Sequence, residues 1–456
     1  MLKKKRILLV THNFTVTGAP LSLLNVAKVL QRDYEVSVWG WAGGPLLSQY
    51  QEELGIEPVI INPKYQKYPF YFVGELNKFD FVILNTILNS RLALVCQKNN
   101  IPYMWMIREA QDITVWHTNT LCKIIKKCQD NIYVVSEYAK DYLDNTYNVD
   151  VKVIHNFVPD EYVEKAKESS NILQFTFLGS IEKRKGIDLI IEAFLQQKLA
   201  NWRLSICGEG GFKDYCIRKF GVSPMINWLG VVTGEERRKI FETTDIFLVP
   251  SLDESCSRVV LEAMMMGCPV IISENVGAKY MVNEHTGWIV KTGDIESLKE
   301  CIKNILEKPP VIVEMGKHAR NMFLTTSTEK IYSKNIYSII EPAMEQSLKI
   351  RQIRFLKQKF CDLLKVIYFL ISKIFSVTNQ IKGARCRKVV TILGISFKLR
   401  NKEKEQQMAQ AVFRSRSLQI QNELMNRLYD MEVILNEQRK ILKDIASNEE
   451  KSLLKR

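Results

Sequence analysis

Short apolar runs alternate with amphipathic stretches through the first three quarters of the chain. Runs such as Arg6–Thr11 and Phe175–Leu178 have the length and composition of buried strands. Apolar residues at helical spacing follow them, as in Pro20–Leu30 and Gly186–Phe194. Strands that alternate with helices predict an α/β protein with parallel, doubly wound sheets, and such sheets bind ligands in the loops at the carboxyl ends of their strands.

The pattern occurs twice, which predicts two Rossmann-like domains, 1–165 and 166–345. Strands are predicted in the first domain at Arg6–Thr11, Glu35–Trp39, Pro58–Asn62, Asp80–Asn85, Tyr103–Arg108, Asn131–Ser136 and Lys152–His155. They are predicted in the second at Phe175–Leu178, Arg203–Cys207, Ile226–Leu229, Asp245–Val249 and after Pro269. We interpret the segment HNFVP at 155–159 as the link between the domains. A helix from about Ser327 to Ile340 is expected to return to the first domain.

The composition is that of an ordinary globular protein up to about residue 345, and its charge changes beyond that point. The 456 residues, 46% of them hydrophobic, allow two or three domains with large cores. Ten cysteines are scattered without a CxxC pair, which indicates reduced thiols in a cytosol and no structural zinc. The formal net charge is +14, and residues 346–402 contribute 14 Lys and Arg against the single acid Asp362.

The segment 346–402 therefore carries most of the excess charge. Between Arg354 and Phe375 its apolar residues share one helical face, opposite basic residues. This pattern favours an interfacial helix on an anionic membrane over a helix that packs on the core or binds nucleic acid. The tail, 403–456, has apolar residues at alternating spacings of four and three between Leu424 and Ile445, which fits either a short coiled coil for self-association or a single surface helix.

Candidate chemistry is concentrated around two glutamates. Glu254 follows the predicted strand Asp245–Val249, and Glu262 is expected about two turns into the next helix. The backbone amides of Cys256, Ser257 and Arg258 would lie at the start of that helix, where they favour an anion. An anion flanked by two carboxylates that accept from hydroxyls indicates a nucleotide-sugar site. The alternative is that Glu254 caps the helix and Glu262 is an exposed helical residue.

Other strand ends supply glycines and cations. Gly18 stands before a predicted helix, either for close approach of a phosphate or only for a tight turn. Gly179, Gly208 and Gly230 follow three strands of the second domain. Arg184 and Lys185 lie where a loop meets a helix amino terminus, an unfavourable place for cations unless an anion binds there. Arg108, followed by Glu109, either faces the cleft or forms a surface ion pair.

These features belong to a longer ordered pattern, with VPS at 249–251, EAM at 262–264 and GCPV at 267–270. The pattern resembles the signature of the family-4 retaining glycosyltransferases of GT-B fold, and the resemblance covers about residues 1–345. It departs from the family at Arg108, where a His is common, and at Ser180, where an Arg is common. TILGISFKL at 391–399 resembles a short motif appended to bacterial polysaccharide-assembly transferases.

The resemblance implies a retaining transferase that needs no metal and no cofactor beyond its UDP- or GDP-linked sugar donor. Lys185 and Arg184 would stabilise the leaving diphosphate, Glu254 would hold the sugar and Glu262 the ribose. The acceptor would be a lipid-linked or growing glycan, and the protein would be cytoplasmic and peripheral on the inner face of the plasma membrane. The alternative is a non-catalytic GT-B scaffold that binds a ligand or partner without turnover.

Overall fold

The structure is a computed structural model that describes residues 4–398 except 63, 66–67, 112–117, 164–171, 310, 383–384 and 393–394. The chain divides into two compact units, Met1–Met344 and Glu345–Arg456. The first unit contains two parallel sheets, and the second contains an antiparallel sheet.

The first sheet has the seven strands that the apolar runs predict. They are β1 (Arg6–Thr11), β2 (Glu35–Gly40), β3 (Val59–Ile60), β4 (Phe81–Asn85), β5 (Tyr103–Ile107), β6 (Ile132–Val134) and β7 (Lys152–Val153). They are parallel and lie in the order β3-β2-β1-β4-β5-β6-β7. Alternate residues of β1 are buried in different cores, Ile7 in one and Leu8 in the other, because helices cover both faces.

The predicted third strand, Pro58–Asn62, is too long. Only Val59–Ile60 pairs with β2, and both residues are about half exposed. An edge strand has one neighbour and is commonly short, which explains the difference.

The helices of this domain follow the strands as predicted. They are α1 (Gly18–Leu30), α2 (Leu46–Leu54), α3 (Val73–Leu76), α4 (Ser90–Asn99), α5 (Asn119–Cys128) and α6 (Glu137–Tyr147). Helix α1 begins two residues before the predicted Pro20, because the first turn of a helix accepts a proline that lacks an N–H.

The second sheet has six parallel strands in the order β10-β9-β8-β11-β12-β13. They are β8 (Leu173–Leu178), β9 (Trp202–Cys207), β10 (Ile226–Gly230), β11 (Ile246–Val249), β12 (Val270–Ser273) and β13 (Gly287–Val290). The helices are α7 (Ile187–Leu195), α8 (Lys213–Phe220), α9 (Gly234–Thr243), α10 (Arg258–Met265), α11 (Ile295–Glu307) and α12 (Ile312–Thr326). Chain order reverses between β8 and β11, so the loops after these two strands face one crevice.

Helix α13 (Glu329–Ile374) returns to the first sheet, as expected, and is much longer than the predicted 327–340. Tyr332, Ile336, Ile340 and Met344 pack in the core of the amino-terminal domain. The ring of Tyr332 lies 4.7 Å from that of Phe157. The sequence pattern therefore located the return of the chain but not the length of the helix.

In the second unit three strands follow α13, and the sequence pattern predicted none of them. They are β14 (Phe375–Lys382), β15 (Arg385–Ile392) and β16 (Ile395–Lys398), paired antiparallel in that order. Among the described helices, none contains a stretch long and apolar enough to cross a bilayer. The proposed coiled coil at 403–456 lies outside the described residues, so it stays a prediction.

Candidate active site

The loop between β11 and α10 carries Glu254. The backbone N–H of Glu254 donates to the carbonyl of Asn275 at 3.1 Å, and its own carbonyl accepts from the N–H of Gly277 at 2.8 Å. Its carboxylate forms an ion pair with the ammonium of Lys185, and both side chains are less than a fifth exposed. Two opposite charges thus lie in contact at a largely buried position, at the crevice between β8 and β11.

The turn Lys183–Lys185 brings the second cation to the same place. Arg184 Nη1 lies 3.7 Å from a carboxylate oxygen of Glu254 and donates to the carbonyl of Asp253 at 2.7 Å. The N–H of Leu252 in turn donates to the carbonyl of Arg184 at 2.8 Å, which joins the two loops. The structure therefore brings the neighbouring cations Arg184 and Lys185 together with Glu254, which lies in a different segment of the sequence.

Helix α10 begins at Arg258, after the buried residues Cys256 and Ser257. Ser257 has a φ of +76°, a conformation that non-glycine residues rarely adopt and that is often found at functional sites. The amides of Cys256, Ser257 and Arg258 lie at the helix start, as expected. Glu262 lies only about one turn into the helix, so the predicted position about two turns into the helix was wrong.

Glu262 is 4% exposed, so its interpretation as an exposed helical residue was wrong. Its oxygen Oε2 accepts from Arg237 Nη2 at 2.5 Å, and Oε1 accepts from Arg258 Nε at 2.8 Å. Each oxygen of this carboxylate is therefore held by one guanidinium group. A buried carboxylate needs such partners to remain charged.

A cavity of about 260 Å³ opens beside these residues. Its lining comes from the ends of β8 and β9, the segment after β10, and α9: Leu178, Gly179, Ser180, Cys207, Gly208, Glu209, Val231, Val232 and Arg237. Two of the predicted glycines, Gly179 and Gly208, lie in this lining. Gly230 adjoins it, since its carbonyl accepts from the N–H of Gly208 at 2.6 Å.

Gly18 begins α1 at the carboxyl end of β1. A Cβ atom added there would meet no atom within 4 Å, and its φ is not in the left-handed region. A tight turn therefore does not require this glycine. The free space is compatible with the close approach of a ligand.

Arg108 and Glu109 do not form the surface ion pair that was the alternative interpretation. Arg108 is 8% exposed, and it donates to the side-chain oxygens of Asn85 at 2.5 Å and Asn156 at 2.6 Å. It thus links the end of β4 to the segment that leaves the domain. The carboxylate of Glu109 accepts from the backbone N–H groups of Arg108 at 2.9 Å and Ile87 at 3.1 Å.

Burial raises the pKa of Glu109 from 4.5 to about 7, while the two backbone N–H donors and Arg108 oppose the shift. Between these pH values the folded protein binds a proton that the unfolded chain has lost, so this group makes stability fall as pH rises from about 4.5 to about 7. Glu109→Gln keeps the accepting oxygen and removes the titration. We expect the variant to gain stability relative to the wild type as pH rises through this window, measured by urea unfolding. A difference that does not change with pH would contradict this expectation.

The residues on either side of Glu254 contact the amino-terminal domain. Tyr138 donates to a carboxylate oxygen of Asp253 at 2.9 Å. Ser255 donates through Oγ to the carbonyl of Arg108 at 2.5 Å, and its own carbonyl accepts from Ser136 Oγ at 2.5 Å. The loop that carries Glu254 is therefore positioned by both domains. Asp253, Ser255 and Arg237 were not predicted as site residues, because nothing in the local sequence pattern distinguishes them.

Comparison with known proteins agrees with this architecture. Residues 160–322 match the family model described as glycosyl transferases group 1. An Anabaena protein solved in complex with UDP-glucose aligns with a TM-score of 0.63 at 17% identity, over 74% of this chain and 99% of that one. The fold is GT-B: two Rossmann-like domains that face a cleft. Residues 160–322 are thus similar to the group 1 glycosyl transferases.

Curated relatives are similar to this chain over part of its length. An uncharacterized glycosyltransferase of Methanocaldococcus jannaschii is 28% identical over 196 residues, which are 39% of this chain and 50% of that protein. The amylovoran biosynthesis glycosyltransferase AmsK of Erwinia amylovora is 24% identical over 181 residues, 37% of this chain and 44% of that protein. The chain thus spans about half the length of these relatives.

Proposed function

We propose that the protein is a retaining, metal-independent glycosyltransferase of family 4, which moves a sugar from a UDP- or GDP-linked donor to a lipid-linked or growing glycan. The observation that carries this proposal is the meeting of Lys185, Arg184 and Glu254 at the crevice between β8 and β11, beside the amino terminus of α10. Cations and helix amides suit a diphosphate, and a carboxylate beside them suits the hydroxyls of its sugar.

In this mechanism Lys185 exchanges its partner when the donor binds. Its ammonium turns from Glu254 to the diphosphate, and the freed carboxylate accepts from sugar hydroxyls. Arg184 stays beside them, held by the carbonyl of Asp253. These fixed charges stabilise the negative charge that develops on the leaving group, which is electrostatic preorganisation.

The transfer step breaks the bond between the anomeric carbon and the diphosphate oxygen and forms a bond from that carbon to the acceptor oxygen. The leaving phosphate takes the acceptor's proton on the same face of the sugar, so configuration is retained and a nucleoside diphosphate is released. Within the described residues, no group of three or more His, Cys, Asp or Glu side chains is placed to hold a metal ion. Arg184 and Lys185 supply the positive charge in this proposal.

The relatives support the choice of substrate class. The Anabaena protein of the same fold was solved with UDP-glucose, and the Erwinia relative is named for amylovoran biosynthesis. The test is release of nucleotide from UDP-, GDP- and ADP-linked sugars with a crude lipid acceptor, in the presence of EDTA. We expect acceptor-dependent release that survives EDTA. Loss that Mg²⁺ or Mn²⁺ restores would overturn metal independence, and no release from any donor would favour a scaffold.

We further propose that residues 346–402 bind an anionic membrane surface and place the protein on the cytoplasmic face of the plasma membrane. The segment carries 14 Lys and Arg against the single acid Asp362. On α13, Phe360 and Leu364 are exposed one turn apart. Basic residues with exposed apolar neighbours are typical of interfacial segments.

Truncation after Met344 tests this membrane proposal. The shortened chain keeps the part of α13 that packs on the amino-terminal core, so we expect it to fold and to bind nucleotide. It should no longer sediment with phosphatidylserine vesicles, whereas the full-length chain should sediment and be released as salt rises, because screening shortens the Debye length to about 10 Å at 0.1 M. Full-length protein that ignores the vesicles at low salt would contradict the proposal.

A further inference from the structure

A buried cation at the end of β5 has only neutral acceptors. Arg108 is 8% exposed. Its guanidinium donates to the amide oxygens of Asn85 at 2.5 Å and Asn156 at 2.6 Å, and to the sulfur of Met106 at 3.7 Å. Burial lowers the pKa of Arg108 more than its neighbours raise it. A guanidinium nevertheless stays charged in a protein, and a buried charge is costly unless an anion compensates it.

The acidic groups nearest to this guanidinium do not compensate it. The carboxylate of Glu109 accepts through Oε2 from the backbone N–H groups of Arg108 and Ile87, and it forms no ion pair with the guanidinium in the part of the chain that the structure describes. Burial raises the pKa of Glu109 to about 7, so this group carries only part of a negative charge at neutral pH. Burial raises the pKa of the Cys256 thiol to about 11, so that group is neutral.

Two tyrosine hydroxyls near this cation have no hydrogen-bond partner among the described residues. Tyr50 lies on α2 and is 1% exposed, and Tyr332 lies in the first turn of α13 and is 2% exposed. Both pack in one core with Met106, whose sulfur accepts from Arg108. A buried hydroxyl without a partner loses its bonds to water and gains none in return. Such a group in a folded protein indicates a bound water or ion.

The charge of Arg108 acts on both phenols. Burial raises the pKa of Tyr332 to about 12, and the positive charge of Arg108 opposes the shift. Burial also raises the pKa of Tyr50, and Arg108 opposes that shift too. Both hydroxyls therefore keep their protons at neutral pH and can donate. The three side chains together have an excess of positive charge and of hydrogen-bond donors.

We propose that Arg108, Tyr50 and Tyr332 form a buried binding site for a small monovalent anion of the size of chloride. One such anion accepts from both hydroxyls and compensates the guanidinium, whereas a water molecule supplies an acceptor but no charge. The low exposure of all three side chains excludes a sugar phosphate or a nucleotide. The anion site goes beyond the proposed transfer reaction and does not depend on it.

The bound anion would stabilise the junction between the two Rossmann-like domains. Asn85, which accepts from Arg108, donates through Nδ2 to the carbonyl of Ala19 at 3.1 Å. Ser255 donates through Oγ to the carbonyl of Arg108 at 2.5 Å. Arg108 therefore connects the start of α1 to the loop that carries Glu254, and an anion that fixes Arg108 stabilises both.

Urea unfolding of the full-length protein in chloride and in gluconate, at equal ionic strength, tests the site. Gluconate is too large to enter, and a ligand that binds only the folded state stabilises it by mass action. We expect the unfolding midpoint of the wild type to rise with chloride and to saturate, and bromide to replace chloride. Arg108→Gln should abolish this response. A wild type whose midpoint does not respond to chloride would overturn the inference.

Tyr332→Phe and Tyr50→Phe test the site by the sign of their effect. In gluconate each variant should be at least as stable as the wild type, because it removes a buried hydroxyl that has no partner. In saturating chloride each should be less stable than the wild type, and the chloride concentration at half saturation should rise about 10- to 100-fold, the effect of losing one hydrogen bond to a charged group. The same difference from the wild type in both salts would indicate bound water and overturn the inference.

Tyr103→Phe is the matched control. Its hydroxyl is also in the amino-terminal domain but donates to Gln97 Oε1 at 2.8 Å, and its ring packs in the other core. This variant should lose the same stability in both salts, which separates a specific anion from a general salt effect. Crystals grown in bromide locate the ion directly: we expect an anomalous peak in contact with the guanidinium of Arg108 and both hydroxyls. Bromide absent from this position would overturn the assignment.

Discussion

Glu254→Ala is expected to lower the rate of sugar transfer by one to two orders of magnitude or more while the protein remains folded. The side chain lies in a strand-end loop and is 19% exposed, and its carboxylate contacts Lys185 rather than the hydrophobic core. Removal of one charged hydrogen bond costs about 1.5–3 kcal/mol, and each 1.36 kcal/mol in the transition state is tenfold in rate. Initial rates of nucleotide release measure the loss of activity. Thermal unfolding of the variant and the wild type shows whether the variant remains folded.

Glu182→Ala is the matched control for Glu254→Ala. Glu182 lies in the loop after β8, near Arg184 at 3.7 Å, and its side chain is 52% exposed. This exposed pair contributes little, so the control should retain nearly full activity. Wild-type turnover in the Glu254 variant would remove Glu254 from the mechanism.

Gly208→Ala is expected to have the largest effect on folding and nucleotide binding. A Cβ atom at this position would lie 1.8 Å from the carbonyl oxygen of Gly179, and the backbone φ is +134°. The loops that follow β8 and β9 would have to separate at the cavity. We expect a loss of about 3 kcal/mol or more in the free energy of unfolding, measured in urea, together with loss of nucleotide affinity.

Gly211→Ala serves as the comparison, because it lies in the same loop and its added Cβ would meet no atom within 4 Å. Its stability should change by less than about 1 kcal/mol. Equal stability of the two variants would contradict the close contact between the loops after β8 and β9 at Gly208 and Gly179.

Much of the fold and part of the site were accessible from the sequence. Apolar runs placed the strands, and a parallel sheet with a reversal of chain order brings the ends of β8 and β11 to one crevice. The sequence placed Lys185 and Glu254, 69 residues apart, each in a strand-end loop, and the family resemblance assigned both to one donor site. Their direct ion pair follows from the same topology.

Other features depend on information that the local pattern does not contain. Arg237 and Arg238 are equivalent by composition, and only the phase of α9 turns Arg237 toward Glu262. The bonds of Asp253 and Ser255 to the amino-terminal domain depend on how two sheets face each other. The strands β14–β16 were missed because basic residues interrupt their apolar alternation, so the periodic signal of a strand is weak there.

A crystal structure of the protein with UDP-glucose or GDP-mannose tests the central claim most directly. We expect the diphosphate within hydrogen-bond distance of Lys185 Nζ and of the amides at the start of α10, with Glu254 released from Lys185 and bonded to sugar hydroxyls. The nucleoside should occupy the cavity beside Arg237. A donor bound elsewhere, or a Lys185–Glu254 pair that stays closed with the donor in place, would contradict it.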